Sequence, residues 1–168
     1  MVEGRAKLSI SQIYLQTSVT IKSDTFTLST WPCQSPDQNR KSIQHFLGIS
    51  SPLWIITAWN PRSQLSALHE NRERQLTLLS ELQKSPFNFL EVTASSISAD
   101  WLEESIAIWA PEGKLDKPLE DLVLTLAEKY EQNAVFLFHE DLQILVPVLV
   151  EEASGSQVYC VNHCSNSI

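Results

Sequence analysis

From residue 53 onward the chain alternates between short apolar runs and amphipathic stretches. "LWIITAW" (53–59) is almost wholly apolar and runs straight into Asn60-Pro61. That pattern predicts a strand buried on both faces, stopped where proline forces its predecessor out of the helical region. Ser66 stands where the N-cap of a following helix would be, and the helix is expected to reach Lys84. Leu65, Leu68, Leu76, Leu79 and Leu82 share one stripe of it. "FNFLEVTAS" (87–95) and "EESIAIWA" (103–110) read as strands, Pro118 opens a second helix, and "NAVFLF" (133–138) followed by "LQILVPVLV" (142–150) reads as a closing hairpin. Pro147 has no N–H to donate, so the last strand is expected at a sheet edge.

The order β-α-β-β-α-β plus one strand predicts an α+β fold: a ferredoxin-like βαββαβ core over 53–150 with an extra C-terminal hairpin strand. Upstream, "SVTIKS" and "DTFTLS" alternate as a hairpin, "STWPCQSPDQNRK" (29–41) reads as a loop, and "NRKSIQHFLG" (39–48) reads as a short helix ending at Gly48. This N-terminal hairpin and helix, within 1–50, is expected to pack on the core. Residues 155–168 are expected to form a flexible tail, and the whole chain, 1–168, a single domain.

That topology gathers chain segments distant in sequence at one rim of the sheet. Asn60 and Arg62 leave the first core strand there, Asn71 and Arg74 sit early in the helix, Trp101, Glu103 and Glu104 enter the third strand, and Gln132 and Asn133 enter the fourth. These residues are the candidate ligand site, with Glu103 or Glu104 as the candidate general acid or base. The amides have a plainer reading as partners of backbone groups at loop ends. Arg72 falls inside the leucine stripe and therefore needs a carboxylate or several carbonyls, or must snorkel out; an ion pair with Glu103, or with its neighbour Glu104, is expected to lock helix to strand, with a ligand clamp as the alternative.

Composition narrows the functional classes. The net charge is −8, and residues 101–168 hold three Lys or Arg against twelve Asp or Glu, which opposes binding of a phosphate backbone. No apolar run approaches the roughly 20 residues of a membrane helix, and the N-terminus lacks the apolar core of a signal peptide, so a cytoplasmic protein is expected. Three cysteines do not make a disulfide framework. Cys160, His163 and Cys164 lie close together, but a structural zinc site takes four ligands, usually as two separated pairs, and the plainer reading is a tail with incidental thiols. No phosphate loop, dinucleotide glycine pattern, paired-histidine motif or nucleophile–base relay is present, so no metal or cofactor is expected.

"ITAWNP" (56–61), "NRERQLTLLSEL" (71–82), "WLEES" (101–105) and "EQNAVF" (131–136), in this order and spacing, resemble the bacterial domain of unknown function 3293 family. The resemblance spans about residues 10–150 and implies that Thr57, Asn60, Pro61, Asn71, Trp101, Glu103, Glu104, Gln132 and Asn133 are marked positions. It implies no activity, substrate or cofactor. "SSISAD" (95–100) stands where the family is glycine-rich, and the cysteine-bearing tail lies outside the resemblance. Three functions remain open: a binding or regulatory module that docks a protein partner or small ligand at the rim, a small-molecule enzyme using a rim glutamate, and, more weakly, a single-strand nucleic-acid binder using Trp59 and Trp101.

Overall fold

Strand Leu53–Ile56 is buried at all four positions, which requires apolar layers on both sides of it. In the computed structural model, which describes residues 17–22, 27–33, 43–96, 100–112, 116–139, 142–149 and 157–166, both layers exist. The strands are β1 (Thr17–Lys22), β2 (Thr27–Cys33), β3 (Leu53–Ile56), β4 (Asn88–Ser96), β5 (Leu102–Trp109), β6 (Ala134–His139), β7 (Leu142–Pro147) and β8 (Gln157–Asn166). Among the described residues three α-helices accompany them: α1 (Ile43–Leu47), α2 (Leu68–Leu82) and α3 (Asp116–Lys129).

The chain is α+β, as its pattern predicts, but the ferredoxin-like arrangement is not the whole sheet. All pairings are antiparallel and run β1-β2-β8-β7-β6-β3-β5-β4, with β4 returning to β1 to close a barrel. The physical reason lies in the second face of the sheet. On the outer face, Trp54, Ile56, Ile106 and Ile108 pack against Leu78 and Leu82 of α2 and Leu119, Val123 and Leu126 of α3. On the other face, Val19, Ile21, Leu53, Ile55, Val92, Ala107, Phe136, Phe138 and Leu145 form a separate cluster. An open sheet with helices on one side would leave that second face in water. Closure buries it and fills the interior of an eight-stranded barrel with side chains.

Closure also changes the roles expected of both ends of the chain. The N-terminal hairpin is part of the sheet, β1 pairing with β4 and β2 with β8. Residues 157–166, expected within a flexible tail, form β8 between β2 and β7. The segment Thr30–Cys33, expected as loop, belongs to β2. Strand β7 is not an edge strand, because it pairs with β6 and β8; Pro147 is tolerated because β8 pairs only with Leu142–Leu145.

Helix α2 buries only part of the expected stripe: Leu79 and Leu82 pack on the core. Leu65, Leu68 and Leu76 are 90%, 53% and 65% exposed, whereas Asn71, Gln75, Leu78 and Leu82 are buried. The helix starts at Leu68 with Ala67 as N-cap, not at Ser66, and Glu70 Oε2 accepts from the Ala67 N–H at 3.2 Å. Only its C-terminal half meets the apolar outer layer; its N-terminal half meets polar backbone at the end of β3. Helix α1 ends as expected at Gly48, φ +67°, where Ile49 N donates to Gln44 O at 2.9 Å and Gly48 N to His45 O at 3.3 Å. Helix α3 ends with the same bond pattern, but with Glu131 in the left-handed position, φ +56°.

Candidate functional site

Beyond Ile56 the β3 backbone leaves the ladder, and its polar groups are taken up by side chains from elsewhere. Gln75 Oε1 accepts from Ala58 N at 3.0 Å, Arg74 Nε donates to Ala58 O at 2.9 Å, and Gln132 Nε2 donates to Trp59 O at 3.0 Å. Thr57 Oγ1 donates to Glu104 O at 2.7 Å and accepts from Trp59 N at 3.1 Å. Buried backbone must be paired, and this segment is paired by α2, β5 and the entry to β6. The expected convergence at one rim is therefore a hydrogen-bonded arrangement.

Asn60 stands at its centre, with φ +48° and ψ 62°. Asparagine is among the few residues that tolerate this left-handed conformation. Its backbone N–H donates to Asn71 Oδ1 at 2.9 Å, and its Oδ1 accepts from Asn71 Nδ2 at 3.0 Å and from Ser66 N at 3.1 Å. The remaining group, Nδ2, donates to Glu103 Oε1 at 2.8 Å. The turn that follows is also left-handed at Arg62 and Ser63, φ 55° and 57°. It is held by Arg62 N to Glu131 O at 2.7 Å and by Asn133 Nδ2 to Ser63 Oγ at 2.9 Å.

Strand alternation separates the two candidate glutamates. Glu103 pairs with Ala94 and shares the inward parity of Ser105 and Ala107, whereas Glu104 pairs with Thr93 and faces outward. Arg72 is exposed and lies against Glu104 rather than Glu103, Nε to Oε1 at 3.9 Å, with both side chains about half in solvent. The expected ion pair of Arg72 with Glu103 is thus replaced by a loose surface pair that adds little stability, because Arg72 lies off the buried face of α2. Arg62 also turns away from the barrel, to Glu131 Oε1 at 2.8 Å.

Glu103 faces a recess of about 40 Å³ at the mouth of the barrel, lined with Thr57, Trp101, Ser105 and Gln132 over a floor of Ile55 and Phe136. Burial pushes its carboxyl above the ordinary value of 4.5, and the Asn60 hydrogen bond acts in the opposite sense. Of the expected site residues, Trp101, Glu103 and Gln132 line the recess. Asn60 and Asn71 support Glu103 from behind, while Arg74 and Asn133 serve loop backbone and the Ser63 hydroxyl. Arg74 also donates to Tyr130 O at 2.7 Å.

Ser105 was absent from the expected site, although its i+2 spacing from Glu103 on a strand signals a shared face. Ala94 and Phe136 carried no such signal, because strand pairing alone brings them to the recess. Among the described residues no group of three or more His, Cys, Asp or Glu is arranged to hold a metal ion. The side chains of Cys160, His163 and Cys164 lie outside the described ones. Among the described residues no helix is long and apolar enough to cross a membrane.

Residues 56–135 match the model of the family described as Protein of unknown function (DUF3293). The resemblance read from the four motifs is therefore to this family, over a shorter stretch than 10–150. The matched residues hold β3 beyond Leu53–Ile55, both long helices, and β4 and β5, so they include the Asn60–Glu103 bond and most of the recess. No curated protein and no solved structure matches the chain.

Proposed function

We propose that this protein is a binding module that takes a small ligand, or the polar head of a larger one, at the mouth of the barrel with Glu103 as its anchor. The observation that carries this reading is the Glu103 carboxyl. It is half-buried beside a recess, and one oxygen is held by Asn60 while the other has no hydrogen-bond partner among the described residues. A carboxyl partly withdrawn from water with no cation beside it is unfavourable, and a ligand that pairs with it removes that cost. The strained turn at Asn60, Arg62 and Ser63 supports the reading, since left-handed non-glycine residues cluster where a site must be held in one geometry.

The test is a screen of small polar compounds by thermal shift and by nuclear magnetic resonance of the labelled protein. Compounds that bind should perturb Trp101 and residues 102–105, and Glu103→Gln should abolish the effect. Compounds that bind elsewhere and are indifferent to Glu103→Gln would remove the basis for the reading.

A second reading is a small-molecule enzyme with Glu103 as general acid or base. The raised pKa favours it, because a carboxyl nearer neutrality transfers protons more effectively. A pH–rate profile with one limb that disappears in Glu103→Gln distinguishes it from binding alone. Single-strand binding is disfavoured by the net charge of −8. The odd cysteine count fits a reducing compartment, and we place the protein in the cytoplasm on that ground.

A further inference from the structure

We infer that the group bound at the mouth of the barrel is a primary ammonium; this rests on the reading of Glu103 as the ligand anchor. The argument comes from counting which hydrogen-bonding groups around the recess are already used. Thr57 spends its hydroxyl proton on Glu104 O and its acceptor on Trp59 N. Gln132 directs Nε2 at Trp59 O and Tyr130 O, 3.0 and 3.2 Å away, which uses both amide protons and leaves Oε1 open. Glu103 has one oxygen on Asn60 and one open. Ser105 contributes a hydroxyl of either sense.

Among the described residues, what remains is two acceptors, one adaptable hydroxyl and the Trp101 indole N–H, with the Glu103 carboxylate and no Lys, Arg or His in the lining. An anion would face the Glu103 carboxylate with no lining cation to offset the repulsion. An ammonium carries three donors and no acceptor, and it matches that set. The aromatic residues Trp101 and Phe136 in the lining add apolar surface for the carbon that carries the ammonium. A space of about 40 Å³ is ample for an ammonium head. The net charge of −8 draws cations toward the molecule as a whole.

The experiment is a titration of the ¹⁵N-labelled full chain with n-propylammonium. Acetate, tetramethylammonium and ethylene glycol are run as parallel probes, at about 0.15 M salt to screen surface charge. The expected result is saturable shifts at the Trp101 indole and residues 102–105 with n-propylammonium alone, at a Kd on the order of mM for so small a probe. Glu103→Gln should weaken binding by about tenfold or more, as loss of a charge-assisted hydrogen bond does. Ser105→Ala should weaken it by roughly twofold to fivefold in a fold that is otherwise unchanged. Saturation by acetate or ethylene glycol, lost in Glu103→Gln, would overturn the ammonium assignment while leaving the anchor in place. No shift at the recess with any probe would overturn both.

Discussion

The Asn60 side-chain amide donates to the Glu103 carboxylate at 2.8 Å across 43 residues of sequence, from a residue whose own backbone is left-handed. The two facts are coupled. The left-handed turn lets one amide face Asn71, Ser66 and Glu103 together, and those contacts in turn hold the turn in place.

Replacing Asn60 separates backbone from side chain. Asn60→Gly keeps easy access to positive φ but deletes the bonds to Asn71, Ser66 and Glu103, and should cost about 1–2 kcal/mol. Asn60→Ala adds the steric cost of a left-handed Cβ, for a total of about 2–4 kcal/mol. Chemical denaturation of the two variants checks this; equal losses would mean that the turn relaxes to another conformation.

Stability should depend on pH through Glu103. Burial raises its folded pKa above 4.5, so the folded state holds the proton more tightly than the unfolded chain. That contribution is complete below the unfolded value and is lost as pH rises through the folded one. Glu103→Gln removes the ionisation while keeping an acceptor for Asn60, so it should raise Tm at pH about 8 by on the order of 2 °C. The gain should shrink as pH falls toward 4.5. Melting curves across that range decide it, and a variant destabilised at every pH would contradict the burial argument.

The true face of α2 can be tested by paired substitutions. Leu78 is wholly buried and Leu78→Ala should cost about 2–5 kcal/mol. Leu76, only two positions away and 65% exposed, should tolerate Leu76→Ser within about 0.5 kcal/mol. The reverse order of effects would restore the leucine stripe expected from the sequence.

Gln143 offers a test inside the barrel. It is fully buried, and neither Nε2 nor Oε1 has a hydrogen-bond partner among the described residues. Exchanging such an amide for an apolar side chain of similar size relieves an unpaired polar group, so Gln143→Leu should raise stability by about 1–2 kcal/mol. A loss in equilibrium unfolding would show that the amide has a partner that matters.

Much of this was written locally. The apolar run 53–56, the β-branched N-terminal hairpin, the Gly48 cap and the β-α-β-β-α-β order are set by period, turn chemistry and proline, which act over a few residues. The gathering of Asn60, Asn71, Glu103 and Gln132 followed from that order, because it brings the relevant element ends to one rim. Three matters were settled only by tertiary structure. Whether the sheet closes depends on pairing between β2 and β8, about 130 residues apart, which no local pattern encodes. Which face of α2 is buried depends on unpaired backbone at Ala58 and Asn60, which recruits Gln75 and Asn71 and leaves Leu65 and Leu68 in solvent. And the choice between Glu103 and Glu104 is a matter of strand parity relative to the barrel axis: adjacent residues point to opposite faces, and only closure makes one of those faces an interior.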